Sequence, residues 1–372
     1  MKITFVSNFY NHHQAFLSRK LYQLTNGEYR FVATTEVPIE RRSLGYSADK
    51  DNFVIYYPES TLEALDWIDS ADIVIFGSAP IYLLQNRIKE KKIVFKYSEH
   101  LLKKGFQWWK YPIRWWRWHR NNPAKAPIYM LCASAYTAGD YAKFGLFKGK
   151  TYKWGYFPEC KKYENIDALM QQKDPKQILW CGRFLDWKHP DDVLTVAKRL
   201  KEENYSFHIQ IIGTGEMEEE LKTLIQRDGL QDVVTLLGSM PPEKVRQHME
   251  QAGIYLFTSD RKEGWGAVLN ESMNSGCAVI ASCAAGSTPY LIRHGENGLS
   301  YSNCDTDALY GHIKYLLEHP KAQDKMGRAA YESIVSEWNA DVAATRMVQL
   351  AQHILQVEKT PELFSNGPCS RA

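Results

Sequence analysis

Residues 259–276 read S-D-R-K-E-G-W-G-A-V-L-N-E-S-M-N-S-G, with two carboxylates, Glu263 and Glu271, eight positions apart around Gly264-Trp265-Gly266. A carboxylate can accept hydrogen bonds from two adjacent hydroxyls, as on a sugar or a ribose. Backbone amides from Gly264 to Ala267 would open the helix A-V-L-N-E-S-M-N, and a helix N-terminus attracts anions. One acid before that anion site and another two turns after it would hold the two sugar ends of a nucleotide-sugar, with the phosphates between them. Taken alone, the stretch reads more simply as a solvated loop followed by an amphipathic helix. Trp265 between the glycines would face the donor sugar or an acceptor.

Two further clusters stand after apolar runs upstream. In G-R-F-L-D-W-K-H-P-D-D-V-L, Arg183 and Lys188 bracket a turn behind I-L-W-C. Arginine offers a planar fork and lysine a point charge, so the pair suits a diphosphate; two surface cations is the plain alternative. The run I-Q-I-I ends in Gly213-Thr214-Gly215, which would let backbone approach a ligand closely or serve only as a strand-to-helix turn. No Asp-x-Asp stands at a strand end, because Asp191-Asp192 opens a helix, and the scattered cysteines have no zinc spacing. No metal or other cofactor is expected.

These residues need a frame. The 372 residues exceed what one core usually serves, and 44% hydrophobic and 24% charged residues exclude disorder and low complexity. Apolar runs alternate with amphipathic stretches, as in an α/β chain with parallel sheets. Six runs, from K-I-T-F-V-S to Y-M-L-C-A-S, fill the first half. Five, from Q-I-L-W-C-G to C-A-V-I-A-S, fill the second. A polar stretch with two prolines at about 155–176 separates them as a linker. Two doubly wound domains are expected, over 1–158 and 175–339, with ligands at the carboxyl ends of the strands. The seven unpatterned cysteines, a start too short for a signal-peptide core and the lack of a long apolar run point to the cytoplasm.

Residues 101–120, L-L-K-K-G-F-Q-W-W-K-Y-P-I-R-W-W-R-W-H-R, hold Trp108, Trp109, Trp115 and Trp116 with Arg114, Arg117 and Arg120, and no acid occurs between Glu99 and Asp140. Pro112 would interrupt a helix here. Tryptophan interleaved with cations is the composition of a segment lying on an anionic membrane surface, so peripheral contact at the inner face of the cell membrane is one expectation. An aromatic-lined acceptor groove, or plain core with snorkelling cations, is the other. Nothing else in the chain resembles a nucleic-acid module, so no nucleic-acid partner is expected.

Together G-R-F-L-D-W-K-H-P-D-D-V-L, I-I-G-T-G-E, E-G-W-G-A-V-L-N-E-S-M-N-S-G-C-A-V-I-A-S and G-S-T-P-Y-L-I-R-H-G-E-N-G-L resemble the nucleotide-binding half of retaining glycosyltransferases of family 4. That family is glycogen-synthase-like (glycosyl transferases group 1) and has the GT-B fold of two Rossmann-like doubly wound domains facing a cleft. The resemblance covers about residues 177–300; the first half matches in architecture only. It implies that Arg183 and Lys188 neutralise the donor diphosphate and Glu263 binds the donor sugar. Glu271 would take the ribose, while Gly213, Gly215, Gly264, Trp265, Gly266 and Ala267 line the donor.

It further implies a histidine against the donor sugar at His100, and a last helix, about 340–358, completing the first domain. Where the family carries a glycine pair after strand one, this chain has N-F-Y-N-H-H-Q-A-F, so Asn11, His12 and His13 become candidates for donor or acceptor contacts, beside a simple helix start. The family's Pro-Glu is Pro289-Tyr290 here, a departure from the pattern on the donor side. The implied activity is metal-independent hexosyl transfer from a nucleoside-diphosphate sugar, UDP by default, to a saccharide. That acceptor is expected to be lipid-linked, in bacterial surface polysaccharide synthesis. A nucleotide-sugar epimerase and a non-catalytic sugar-nucleotide-binding scaffold are the alternatives.

Overall fold

The computed structural model describes residues 1–38, 51–357 and 362–372. Two compact units divide the chain: Met1–Glu159 with Asn339–Ala372, and Cys160–Trp338.

The first unit is built on strands β1 (Ile3–Ser7), β2 (Tyr29–Ala33), β3 (Val54–Tyr56), β4 (Ile73–Phe76), β5 (Ile93–Ser98), β6 (Ile128–Cys132) and β7 (Thr151–Lys153). They pair in parallel in the order β3-β2-β1-β4-β5-β6-β7. Parallel strands need crossover helices, which cover both faces of the sheet. Hence I-T-F-V-S in β1 and I-Y-M-L-C in β6 are buried throughout rather than alternating. The helix Ala340–Val357 packs on the helix His12–Leu24, burying Met347, Leu350, Ala351 and Ile354. Residue 358 of its expected span lies outside the described residues.

The second unit repeats the design with β8 (Asp174–Cys181), β9 (His208–Ile212), β10 (Val234–Gly238), β11 (Ala252–Phe257), β12 (Ala278–Ser282) and β13 (Leu299–Tyr301). The parallel order is β10-β9-β8-β11-β12-β13. The helix Pro190–Glu202 shows why the crossovers form where they do. Proline opens it, Asp191 and Asp192 occupy its positive end, Arg199 and Lys201 its negative end, and Val193, Val196, Ala197 and Leu200 make one buried stripe.

Residues 160–173, polar enough to read as linker, pack within this second unit. Lys161 N donates to Asn274 Oδ1 (2.8 Å) and Tyr163 N to the Tyr331 hydroxyl (3.0 Å). A surface helix, Ile166–Gln171, then leads into β8 with Asn165 as its cap.

In each sheet the strand order reverses beside the first strand, between β1 and β4 and between β8 and β11. Ligands of open parallel sheets bind outside the carboxyl ends at such points. The loop that leaves β8 is set by backbone contact with the loop that leaves β9. Gly182 N donates to Ile212 O (3.0 Å) and Phe184 N to Thr214 O (2.9 Å). A Cβ on Gly213 would stand 1.8 Å from Gly182 O, and one on Gly215 would stand 2.5 Å from Phe184 O. The two glycines thus make room for the Gly182–Phe184 backbone.

Gly213→Ala should therefore destabilise the second unit by at least ~3 kcal/mol, through backbone collision and φ strain together. Gly229→Ala, with φ +63° but nothing within 4 Å of the added carbon, should cost only ~1 kcal/mol. Urea melts of both variants check the contrast, and equal losses would contradict it.

Candidate functional site

Lys188 and Glu263 come from different loops, behind β8 and behind β11, and meet in an ion pair between Lys188 Nζ and Glu263 Oε2. Each side chain is only 12% exposed. Ser259 Oγ adds a hydrogen bond to the same carboxylate oxygen (3.3 Å). The backbone behind the lysine is latched: Thr258 Oγ1 donates to Lys188 O (2.5 Å), Trp180 Nε1 donates to Thr258 Oγ1 (2.8 Å), and Asp260 N donates to Trp187 O (2.8 Å). Trp180 on β8 stands in register with Leu256 on β11. The strand pairing itself thus sets where the two loops cross.

Arg183, two residues past the end of β8, is exposed. Among the described residues its side chain makes no hydrogen bond or ion pair. It stands on the same loop as Lys188, so this edge presents an uncommitted guanidinium and an ammonium already matched by a carboxylate. Glu271 sits half-buried on the helix Val268–Asn274, whose Leu269, Asn270, Ser272, Met273 and Asn274 are buried. Its charge helps raise Cys181, which burial pushes up to about 12, and Tyr255, which burial also raises. Glu271 therefore lies beside the carboxyl end of β8, as Lys188 and Glu263 do. Gly266 takes φ +82°, and a Cβ there would strike the Phe257 ring at 2.4 Å. Gly264 and Ala267 complete this turn ahead of the helix.

Trp265 corrects an expectation. It is fully buried, donates from Nε1 to Asn270 Oδ1 (2.8 Å), and lies against the rings of Tyr290 (6.2 Å) and Trp338 (5.9 Å). It anchors the loop from inside and faces neither donor nor acceptor. Tyr290, where the family places a glutamate, belongs to this same aromatic stack and lies parallel to Trp338 at 5.7 Å.

The loop also gathers a group unseen in the sequence. His189 adopts a left-handed conformation (φ 49°, ψ 53°). One ligand atom each from His189, Asp191 and Asp192 lies within 4.8 Å of the others. Burial raises the Asp192 carboxyl, and His189 partly offsets this. A left-handed histidine cannot be anticipated from spacing, so the proximity of His189 to Asp191 and Asp192 is not legible in the sequence.

In the first unit Asn11 is a helix cap. It accepts from His13 N (2.9 Å) while Gln14 accepts from Asn11 N (3.3 Å), a reciprocal capping box. The rings of His12 and His13 lie 3.9 Å apart, and His13 lies parallel to Tyr156 at 6.1 Å. Burial lowers both histidines, His13 to about 3 with His12 adding to the effect, so both are neutral at physiological pH. Tyr156 donates to Glu99 Oε1 (2.6 Å) and meets Tyr97 edge-on at 5.9 Å. Tyr97, inside β5, and Tyr156, just behind β7, carry no sequence signal of their own. His100 is buried, with Nδ1 3.0 Å from Ser134 Oγ and its ring edge-on to Tyr136.

Residues 161–333 match the family model of glycosyl transferases group 1. The match spans nearly all of the second unit. Amylovoran biosynthesis glycosyltransferase AmsK of Erwinia amylovora is 28% identical over 207 residues, 54% of this chain and 50% of AmsK. WcaL of Salmonella typhimurium, named for glycosyl transfer in colanic acid biosynthesis, is 25% identical over 187 residues, 48% of this chain and 46% of WcaL. The chain spans about half the length of the curated relatives it matches. Among solved structures, Anabaena Alr3699/HepE in complex with UDP superposes with a TM-score of 0.69 at 14% identity, covering 94% of this chain and 99% of that one. The fold is GT-B, two Rossmann-like domains in one chain.

In this second unit the Lys188–Glu263 pair is close to buried, so removing one partner strands a charge. Lys188→Met should destabilise the domain by about 2–4 kcal/mol. Lys188→Met/Glu263→Leu should recover at least ~1 kcal/mol of that, a coupling measured in a double-mutant cycle by urea unfolding. Additive losses would show that the two side chains do not interact.

Proposed function

We propose that the chain is a retaining glycosyltransferase of family 4. It would move a hexosyl group from UDP-sugar to a hydroxyl of a lipid-linked saccharide during assembly of a bacterial surface polysaccharide. One observation carries the reading: Lys188, Arg183, Glu263 and Glu271 stand around the carboxyl ends of β8 and β11, where the strand order reverses. Its support from relatives is the family match over residues 161–333, the exopolysaccharide names of AmsK and WcaL, and UDP in the HepE crystals.

The diphosphate takes Arg183 and Lys188 as partners. Phosphate oxygens compete with Glu263 for the Lys188 ammonium, and the carboxylate so relieved accepts hydrogen bonds from donor-sugar hydroxyls. Glu271 takes the ribose. In the reaction the bond from the anomeric carbon to the β-phosphate oxygen breaks. The acceptor oxygen forms its bond on the same face, and its proton passes to the departing phosphate. Negative charge grows on that phosphate, and fixed cations aimed at growing charge are an effective form of catalysis. The transfer is metal-independent in this account.

The test is transfer from labelled UDP-sugars to a lipid-extract acceptor. Glu263→Ala and Arg183→Ala should each lower kcat/KM by about a hundredfold or more, and EDTA should leave the rate unchanged. A Glu263→Ala enzyme as fast as wild type would remove that residue from the site. Loss of activity in EDTA, restored by a divalent cation, would overturn metal independence and direct attention to His189, Asp191 and Asp192. Conversion of the UDP-sugar to its epimer with no acceptor present would assign an epimerase instead.

A further inference from the structure

We propose that the exposed face of the helix Tyr111–Asn121, together with the turn Trp108–Lys110, docks on a bilayer surface carrying anionic headgroups. This inference rests on the first unit alone and is independent of the donor chemistry proposed for the second.

The helix is held to its domain by one side only. Tyr111 stacks on Phe144 at 5.0 Å, and Trp118, seven residues on, meets the same ring edge-on at 4.3 Å. At the far end Lys96 Nζ donates to Asn121 O (3.0 Å) and Asn122 Oδ1 (2.5 Å). Pro112 lies in the first turn and starts the helix, where an interruption was expected. With 3.6 residues per turn, the line opposite Tyr111 and Trp118 is Ile113, Trp116, Arg117 and Arg120.

That line is open to solvent. Ile113 is 72% exposed and Trp116 58%, while Trp108 and Trp109 in the preceding turn are 73% and 58% exposed. Plain core is therefore excluded for these rings. Arg120 lies over the Trp116 ring at 5.4 Å, so cation and indole form one mixed surface.

Charge selects the partner. Residues 100–139 hold seven Lys and Arg and no acid, although the whole chain carries only +3, so the remainder is net negative. A surface of indoles and long cationic stems places rings at headgroup level and guanidinium groups on lipid phosphates. Among the described residues no helix is long and apolar enough to cross a membrane, so this contact would be peripheral.

The test is co-sedimentation of the full chain with vesicles of phosphatidylcholine alone, or with about one-third phosphatidylglycerol. Expected is partition onto the anionic vesicles, little onto the neutral ones, and a fall as salt shortens the screening length from about 8 Å toward 3 Å. Arg117→Glu/Arg120→Glu should weaken partition at least about tenfold. Trp109→Ser/Trp116→Ser should weaken it comparably at every salt concentration, with the thermal unfolding midpoint kept; should the charge reversal fail to fold, the tryptophan pair carries the test. Equal binding to neutral vesicles, no binding to either, or wild-type partition by the tryptophan variant would overturn the proposal. So would tighter binding to a single-stranded RNA than to anionic vesicles at equal salt, which would assign the face to nucleic acid.

Discussion

The ion pair between Lys188 and Glu263 is the contact around which the second unit is arranged. Two strands adjacent in the sheet, β8 and β11, are distant in sequence, and each ends in a loop that must cross the other above the strand-order reversal. Trp180 and Thr258 fix that crossing through a buried hydrogen-bond relay to the Lys188 carbonyl. Such a pair gains little net stability over apolar neighbours, because two charges must leave water, but losing one partner is expensive. Its value is positional: a cation and a carboxylate held at the one edge of the sheet where a ligand is expected.

The same economy explains the glycines. Gly213 and Gly215 admit the backbone of the Arg183 loop, and Gly266 admits the Phe257 ring. None of the three needs a ligand to account for it. Buried Trp265 then locks the turn that carries Glu263, through Asn270 and the Tyr290–Trp338 stack. Loop residues beside a site are thus divided between those that face it and those that hold it in place.

Much of this was legible in the chain. Eleven of the thirteen strands appear as apolar runs; β7 (T-Y-K) and β13 (L-S-Y) are short and broken by polar residues, whereas the equally short β3 lies in the apolar run F-V-I-Y-Y. Arg183, Lys188, Glu263 and Glu271 are recognisable because each follows such a run. That Lys188 and Glu263 bind each other is not recognisable, since spacing says nothing about side chains from separate loops. Trp265 stands between glycines as a ligand-facing ring would, while its aromatic partners lie 25 and 73 positions further on. Asn11 illustrates the opposite case: Asn-x-x-Gln at a helix start is a capping signature, and the cap alone accounts for the residue. The Trp/Arg belt was legible as composition, but only the anchoring of Tyr111 and Trp118 on Phe144 separates its inner side from its outer one.

The central claim is that the Lys188–Glu263 pair marks the seat of a donor diphosphate, and a crystal structure with UDP bound tests it most directly. The account predicts β-phosphate oxygens within hydrogen-bonding distance of Lys188 Nζ and the Arg183 guanidinium, with Glu263 turned from the lysine and Glu271 on the ribose. A diphosphate bound elsewhere, with the Lys188–Glu263 pair intact, would contradict it.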